Sequence, residues 1–174
     1  MRIYDGSPRQ DYEEVLRSIG AFLDQRGMRE LLLVEVPDGF VVQALIMQTA
    51  SAGAWSDYLG QQSKETFTFL DDDIATFMEE AQTRRDNPQR AVAWGNAGYY
   101  EKALRVIGRY IDGQKPRDIF FFEQEGAFVL RLLMATQTGS RHVIAEFTHD
   151  EVEAMIAQGP QYRGEKGAKA PSGD

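Results

Sequence analysis

The sequence predicts an α+β fold built as a tandem pseudo-twofold repeat of one αβββα unit, each unit with an antiparallel three-stranded sheet. Three observations predict it: a long ungapped self-match, a helical apolar stripe that occurs twice, and a strand–turn–strand run that follows each stripe. Setting Tyr12–Met47 against Tyr100–Ala135 at an offset of 88 gives twelve identities. About two would arise by chance in such a window from average composition. The identical pairs are Tyr12/Tyr100, Glu13/Glu101, Leu16/Leu104, Arg17/Arg105, Ile19/Ile107, Gly20/Gly108, Asp24/Asp112, Arg29/Arg117, Glu35/Glu123, Phe40/Phe128, Val41/Val129 and Leu45/Leu133. The match resumes at an offset of 78 with Phe69/Phe147 and Asp72/Asp150, so the first unit carries ten extra residues between Met47 and Lys64.

The first helix follows from Tyr12, Val15, Leu16, Ile19, Phe22 and Leu23, which recur at three-four spacing. Tyr100, Ala103, Leu104, Ile107, Tyr110 and Ile111 repeat the stripe, and Asp11 can cap the first copy. Gly20 and Gly108 border the buried stripe, where a helical glycine costs about 1 kcal/mol relative to alanine. Close backbone packing is the simplest reason to keep them. The short apolar runs Leu31–Val36 and Ile119–Gln124 read as buried strands. The turns Pro37-Asp38-Gly39 and Glu125-Gly126 join them to Phe40–Met47 and Phe128–Ala135 as hairpins.

In that second strand the alternation separates two faces. Phe40, Val42, Ala44 and Ile46, with Phe128, Leu130, Leu132 and Met134, belong under the helices. The opposite face carries Val41, Gln43 and Leu45, with Val129, Arg131 and Leu133, and is too apolar for a simple solvent face. It is a candidate interface, between the units or with a partner. The third strands are expected at Glu65–Phe69 and Val143–Phe147, and the closing helices at Asp71–Ala81 and after Thr148, where Thr148 and Glu151 form a capping box. The acidic run Asp71–Asp73 complements the helix dipole more simply than it binds a metal. The resulting division is 1–84 for the first unit, 85–98 for a linker, 99–163 for the second unit, and 164–174 for a polar tail of disordered composition.

Composition narrows the function. The chain has no cysteine, which excludes disulfides, thiolate metal sites and a cysteine nucleophile. Net charge is −8, which disfavours nucleic acid. No apolar run suits a signal peptide or a membrane span, so a cytoplasmic protein without a membrane partner is expected. His142 and His149 lack a matched third ligand, so no metal and no cofactor are expected. No phosphate loop and no nucleophile elbow occurs. Glu35 and Glu123, with Arg17 and Arg105, are candidates for a cleft between the units. Their simpler reading is an ion pair within each unit, Arg17 or Arg29 with Glu35 and Arg105 or Arg117 with Glu123. Matching residues report what a shared fold needs, so function is expected where the copies differ. They differ most in the loop that carries Trp55 and Tyr58, which is either a lid or a binding surface.

The order helix–three strands–helix, in an acidic chain without catalytic residues, resembles the type III secretion chaperone-like superfamily. That resemblance implies two such units, Asp11–Ala81 and Tyr100–Ala157, fused in one chain where the family normally pairs them as a dimer. It also implies binding of extended peptide segments or regulation of partners. The expected function is therefore a non-enzymatic adaptor or chaperone-like module for a protein or peptide, contacted through Gln43, Leu45, Arg131, Leu133, Trp55 and Tyr58. The rival is a small-molecule sensor or enzyme using the cleft between units. Nothing in the composition excludes a homo-oligomer.

Overall fold

The computed structural model describes residues 12–48, 61–86 and 98–158. The element order is α1 (Tyr12–Gln25), β1 (Met28–Val36), β2 (Gly39–Gln48), β3 (Gln61–Leu70), α2 (Asp71–Asp86), α3 (Tyr99–Gln114), β4 (Asp118–Gln124), β5 (Ala127–Thr136), β6 (Gly139–Thr148) and α4 (His149–Ala157). The fold is α+β, with four helices and six antiparallel strands among the described residues. The strands do not form two separate three-stranded sheets as expected. They make one sheet in the order β3-β2-β1-β4-β5-β6, because β1 and β4 pair at its centre through Leu32–Phe122, Leu33–Phe121 and Val34–Phe120. Joining there leaves neither inner strand with an open edge.

Alternate strand residues fill one core. Leu31, Leu33, Phe40, Val42, Phe121, Phe128, Leu130 and Leu132 are buried against Val15, Leu16, Ile19 and Leu23 of α1 and Ala103, Leu104, Ile107 and Ile111 of α3. Ile74 of α2 and Val152 of α4 enter the same core. All four helices therefore lie on one side of the sheet, as the faces of the second strands predicted. β3 and β6 run longer than expected, because the added residues at Gln61–Lys64 and Gly139–His142 are polar and continue the ladders with β2 and β5. α2 extends through Asp86, two residues past the expected boundary of the first unit. Trp55, Tyr58, Asp11 and the tail 164–174 lie outside the described residues.

α1 and α3 cross antiparallel at very short range. A Cβ on Gly20 would lie 2.4 Å from the Tyr100 carbonyl oxygen, and one on Gly108 would lie 2.6 Å from the Tyr12 carbonyl oxygen. Only glycine lets the backbones approach this closely. Each helix also caps the other. Asp112 accepts from the Tyr12 and Glu13 backbone N–H groups at 3.0 and 3.1 Å, and Asp24 accepts from those of Tyr100 and Glu101 at 3.0 and 2.9 Å. Gly98, the residue that precedes α3, supplies no side-chain cap of its own. The Thr148–Glu151 capping box at the start of α4 is present as predicted.

Candidate functional site

Glu35 and Glu123 sit at the junction of the two halves, on the helix side of the central strands. Among the described residues, Arg17 and Arg105 pair with other carboxylates rather than with Glu35 and Glu123 as the sequence suggested. Glu35 Oε2 accepts from the Tyr12 hydroxyl at 2.7 Å and from the Ile119 N–H at 3.1 Å. Glu123 Oε2 accepts from the Tyr100 hydroxyl at 2.5 Å and, at the long limit of 3.5 Å, from the Leu31 N–H. Each carboxylate thus ties a helix to the opposite half's central strand just where the short β1–β4 ladder ends. The arginines cross the junction instead. Arg105, fully buried, donates through Nε to Glu13 at 3.1 Å, and Arg17 bridges Glu14 and Glu101. A buried guanidinium needs such partners because desolvation alone would be costly.

Burial, then the adjacent Glu35 carboxylate, pushes the Tyr12 phenol far above its ordinary value. Burial and the Glu123 hydrogen bond do the same for Tyr100. Tyr99 is pushed up to about 12, by burial first and by Glu123 second. All three phenols are neutral at any physiological pH, and Tyr12 and Tyr100 act as donors. Of the four charged cleft candidates, Glu35 and Glu123 bind tyrosine hydroxyls and backbone N–H groups, whereas Arg17 and Arg105 bind Glu14, Glu101 and Glu13.

The opposite side of the sheet is different. No described helix covers it. Its residues form rows across the strands: Thr68, Val41, Val34, Phe120, Arg131 and Ile144 in one, Thr66, Gln43, Leu32, Phe122, Val129 and Glu146 in the next. The centre is apolar and the flanks are polar. Phe120 and Phe122 meet edge-on with ring centroids 5.8 Å apart. Gln43, Leu45, Arg131 and Leu133 all lie on this side, as the alternation predicted, with Gln43 and Leu45 on β2 and Arg131 and Leu133 on β5. Gln43 donates to the Thr66 hydroxyl at 3.1 Å, and Arg131 Nε donates to His142 Nδ1 at 3.2 Å.

Within this face the first half carries an irregularity. β1 pairs with β2 as Arg29–Leu45 and then as Leu32–Gln43, so Glu30 and Leu31 together oppose Ala44. This is a β-bulge, and Glu30 takes φ +54°, a left-handed conformation that a side chain makes costly. The β4–β5 ladder runs unbroken from Asp118–Leu133 to Gln124–Ala127. Beside the bulge, beyond the last β1–β4 pair, a depression of about 400 Å³ opens. Leu32, Leu45, Phe122 and Gln43 line it, with Glu30, Lys64 and Glu123 at its polar margins. The volume lies near the lower end for small-ligand pockets and suits one bulky side chain.

Sequence reasoning found Gln43, Leu45 and Glu123 and missed Glu30, Leu32, Lys64 and Phe122. No glycine, proline or asparagine marks the bulge, so nothing local signals it. Gln43 and Leu45 share the depression, whereas Arg131 and Leu133 stand across the sheet from it. No described group of three or more histidine and acidic side chains is placed to hold a metal ion. No described helix is long and apolar enough to cross a membrane. No family model, no curated protein and no solved structure matches the chain.

Proposed function

We propose that the chain is a non-enzymatic binding module that receives a segment of a protein partner across the helix-free sheet face. The observation that carries the reading is the apolar centre of that face, formed by Leu32, Val34, Phe120 and Phe122 with Val41 and Val129 beside them, and lacking any described cover. An apolar patch rimmed by polar residues marks an interaction surface. The depression at the bulge takes an aliphatic or aromatic anchor, and Gln43 and Leu45 contact it directly. Arg131 and Leu133 hold the segment farther along. The net charge of −8 favours a basic partner.

The same reading holds that the halves are a duplicated αβββα unit related by a pseudo-dyad, in the manner of the type III secretion chaperone-like proteins. Its support is reciprocal: Tyr12 with Tyr100, Glu13 with Glu101, Arg17 with Arg105, Gly20 with Gly108, Asp24 with Asp112 and Glu35 with Glu123 make corresponding contacts across the junction. A photoreactive amino acid tests the surface in the cell of origin. Placed at Leu45 it should yield one discrete protein adduct that Phe122→Asp abolishes, while the same group at Glu80, on exposed α2, yields none. Identical adduct patterns from both sites would defeat the proposal.

A second reading has one observation in its favour: Glu123 reaches the margin of the depression. A small molecule would then occupy it as a sensed ligand. Screening by thermal shift separates the two, because a metabolite that stabilises the wild type and fails on Leu45→Asp favours the small-molecule site.

A further inference from the structure

The sheet has two edges, and β6 is the one whose side chains match themselves. It runs ten residues, Gly139–Thr148, paired to β5 without a bulge and without proline, so its outer edge is a straight row of backbone groups. At the inner side of its end, the His149 N–H donates to the Gly126 carbonyl at 3.0 Å. Strand residues alternate in direction, so the odd amides turn toward β5 and the amides of Ser140, His142, Ile144, Glu146 and Thr148 turn outward. Ile144 lies midway along this outward row and is 70% exposed on the helix-free face. Among the described residues only Leu70 and Tyr99 join it as exposed large hydrophobics; Tyr99 is helical, and Leu70 ends the other edge strand, where its N–H is taken by Asp73.

We infer that β6 pairs antiparallel with β6 of a second copy of this chain, about a two-fold axis at Ile144, and so joins the two sheets edge to edge. The register follows from charge and burial. Centring on Ile144 sets the two isoleucines against each other and places His142 opposite Glu146 of the second copy, twice by symmetry. Centring on Glu146 would oppose two carboxylates, and centring on His142 would leave both isoleucines beside serines. The tautomer of His142 fits the chosen register. Its Nδ1 accepts from Arg131 Nε, so the neutral ring carries its proton on Nε2, free to donate to a carboxylate. Arg131 thereby acts as a positioning residue for His142. The pairing also continues the helix-free faces of both copies across Ile144, so a segment bound on one copy would meet a longer surface.

The cysteine-free chain makes the test direct. In a hydrogen-bonded antiparallel pair the opposed Cα atoms lie about 5.5 Å apart, within disulfide reach. Under mild oxidation Ile144→Cys should become a covalent dimer rapidly, while Thr66→Cys on the other edge strand stays monomeric. Sedimentation equilibrium of the full chain from about 5 to about 200 μM should show a reversible dimer, as expected for a small interface. Glu146→Lys should weaken it roughly tenfold, and adding His142→Glu should restore it. The inference is overturned if the wild type stays monomeric across that range, if Glu146→Lys leaves the dimer intact, or if Ile144→Cys links no faster than Thr66→Cys. Should Glu146→Lys fail to fold by circular dichroism, the cross-linking comparison alone decides.

Discussion

Alanine at Gly20 or Gly108 reverses the usual sign of a helix substitution. In an open helix interior, glycine to alanine stabilises by about 1 kcal/mol. At Gly20 the new methyl would sit 2.4 Å from the Tyr100 carbonyl oxygen and 2.8 Å from the Glu101 Cα. Ordinary contact begins at 3.4 Å, so α1 must withdraw from α3 by about 1 Å. The obstructing atoms are backbone and cannot rotate aside, which places the cost near 3 kcal/mol, the top of the usual range for overpacking. The net loss is then about 2 kcal/mol. For a chain of this size that lowers the melting temperature by about 4–8 °C. Gly108→Ala meets the Tyr12 carbonyl at 2.6 Å and should behave alike.

Gly113 supplies the control within the same helix. Nothing lies within 4 Å of its virtual Cβ, so Gly113→Ala should stabilise by about 0.4–1 kcal/mol. Scanning calorimetry on the three single variants and the Gly20/Gly108 double variant reads the whole set. The double variant should lose less than the sum of the singles, because one separation of α1 from α3 relieves both clashes. If Gly20→Ala and Gly108→Ala raise the melting temperature as Gly113→Ala does, the close crossing is wrong, and so is the account of how the halves meet.

The same junction makes two further predictions. Asp24→Ala and Asp112→Ala should each cost about 1 kcal/mol in urea denaturation, with asparagine recovering most of the loss; a neutral result would show that the helix starts are capped in some other way. Tyr12 and Tyr100 have folded pKa values above the ordinary 10.0, so the folded chain keeps protons that the unfolded chain releases in alkali. Their contribution is complete below pH 10 and falls as pH rises beyond it, at about 1.4 kcal/mol per pH unit for each phenol. Melting temperatures taken from pH 8 to 11 should show the decline, and Tyr12→Phe should flatten it; an equal slope in that variant would remove Tyr12 from the explanation.

Much of this architecture was legible because burial writes a period into the sequence. The stripes of α1 and α3 and the alternation of β2 and β5 gave both the elements and the side of the sheet they face. The partners of Arg17, Arg105, Glu35 and Glu123 were not legible. Identity between corresponding residues says that both positions meet the same need, and it is silent on whether the contact stays within a half or crosses to the other. In the structure Arg17 meets Glu101 and Arg105 meets Glu13. The contribution of Asp112 to the start of α1 was hidden for the same reason, since it reaches the Tyr12 N–H from a hundred residues away. The bulge at Glu30 was invisible because no residue that prefers a left-handed backbone stands there.

Under the proposed duplication the two sides of the sheet have different freedoms. On the helix side, Tyr12, Glu13, Arg17, Gly20, Asp24 and Glu35 each contact the opposite half where a corresponding identical residue does the same. A change in one member would therefore disturb one of two matched contacts that hold the halves together. The helix-free side carries no such reciprocity. Val41/Val129 and Leu45/Leu133 agree there, but Leu32 stands against Phe120, Val34 against Phe122, Gln43 against Arg131, Thr66 against Ile144 and Thr68 against Glu146. The bulge adds a difference of backbone as well, since only β1 sets two residues against one. A segment lying across this face would meet a depression in the first half and the Arg131–His142 pair in the second. The two ends of the face thus differ, and under the proposed function a bound segment would have one preferred direction along it.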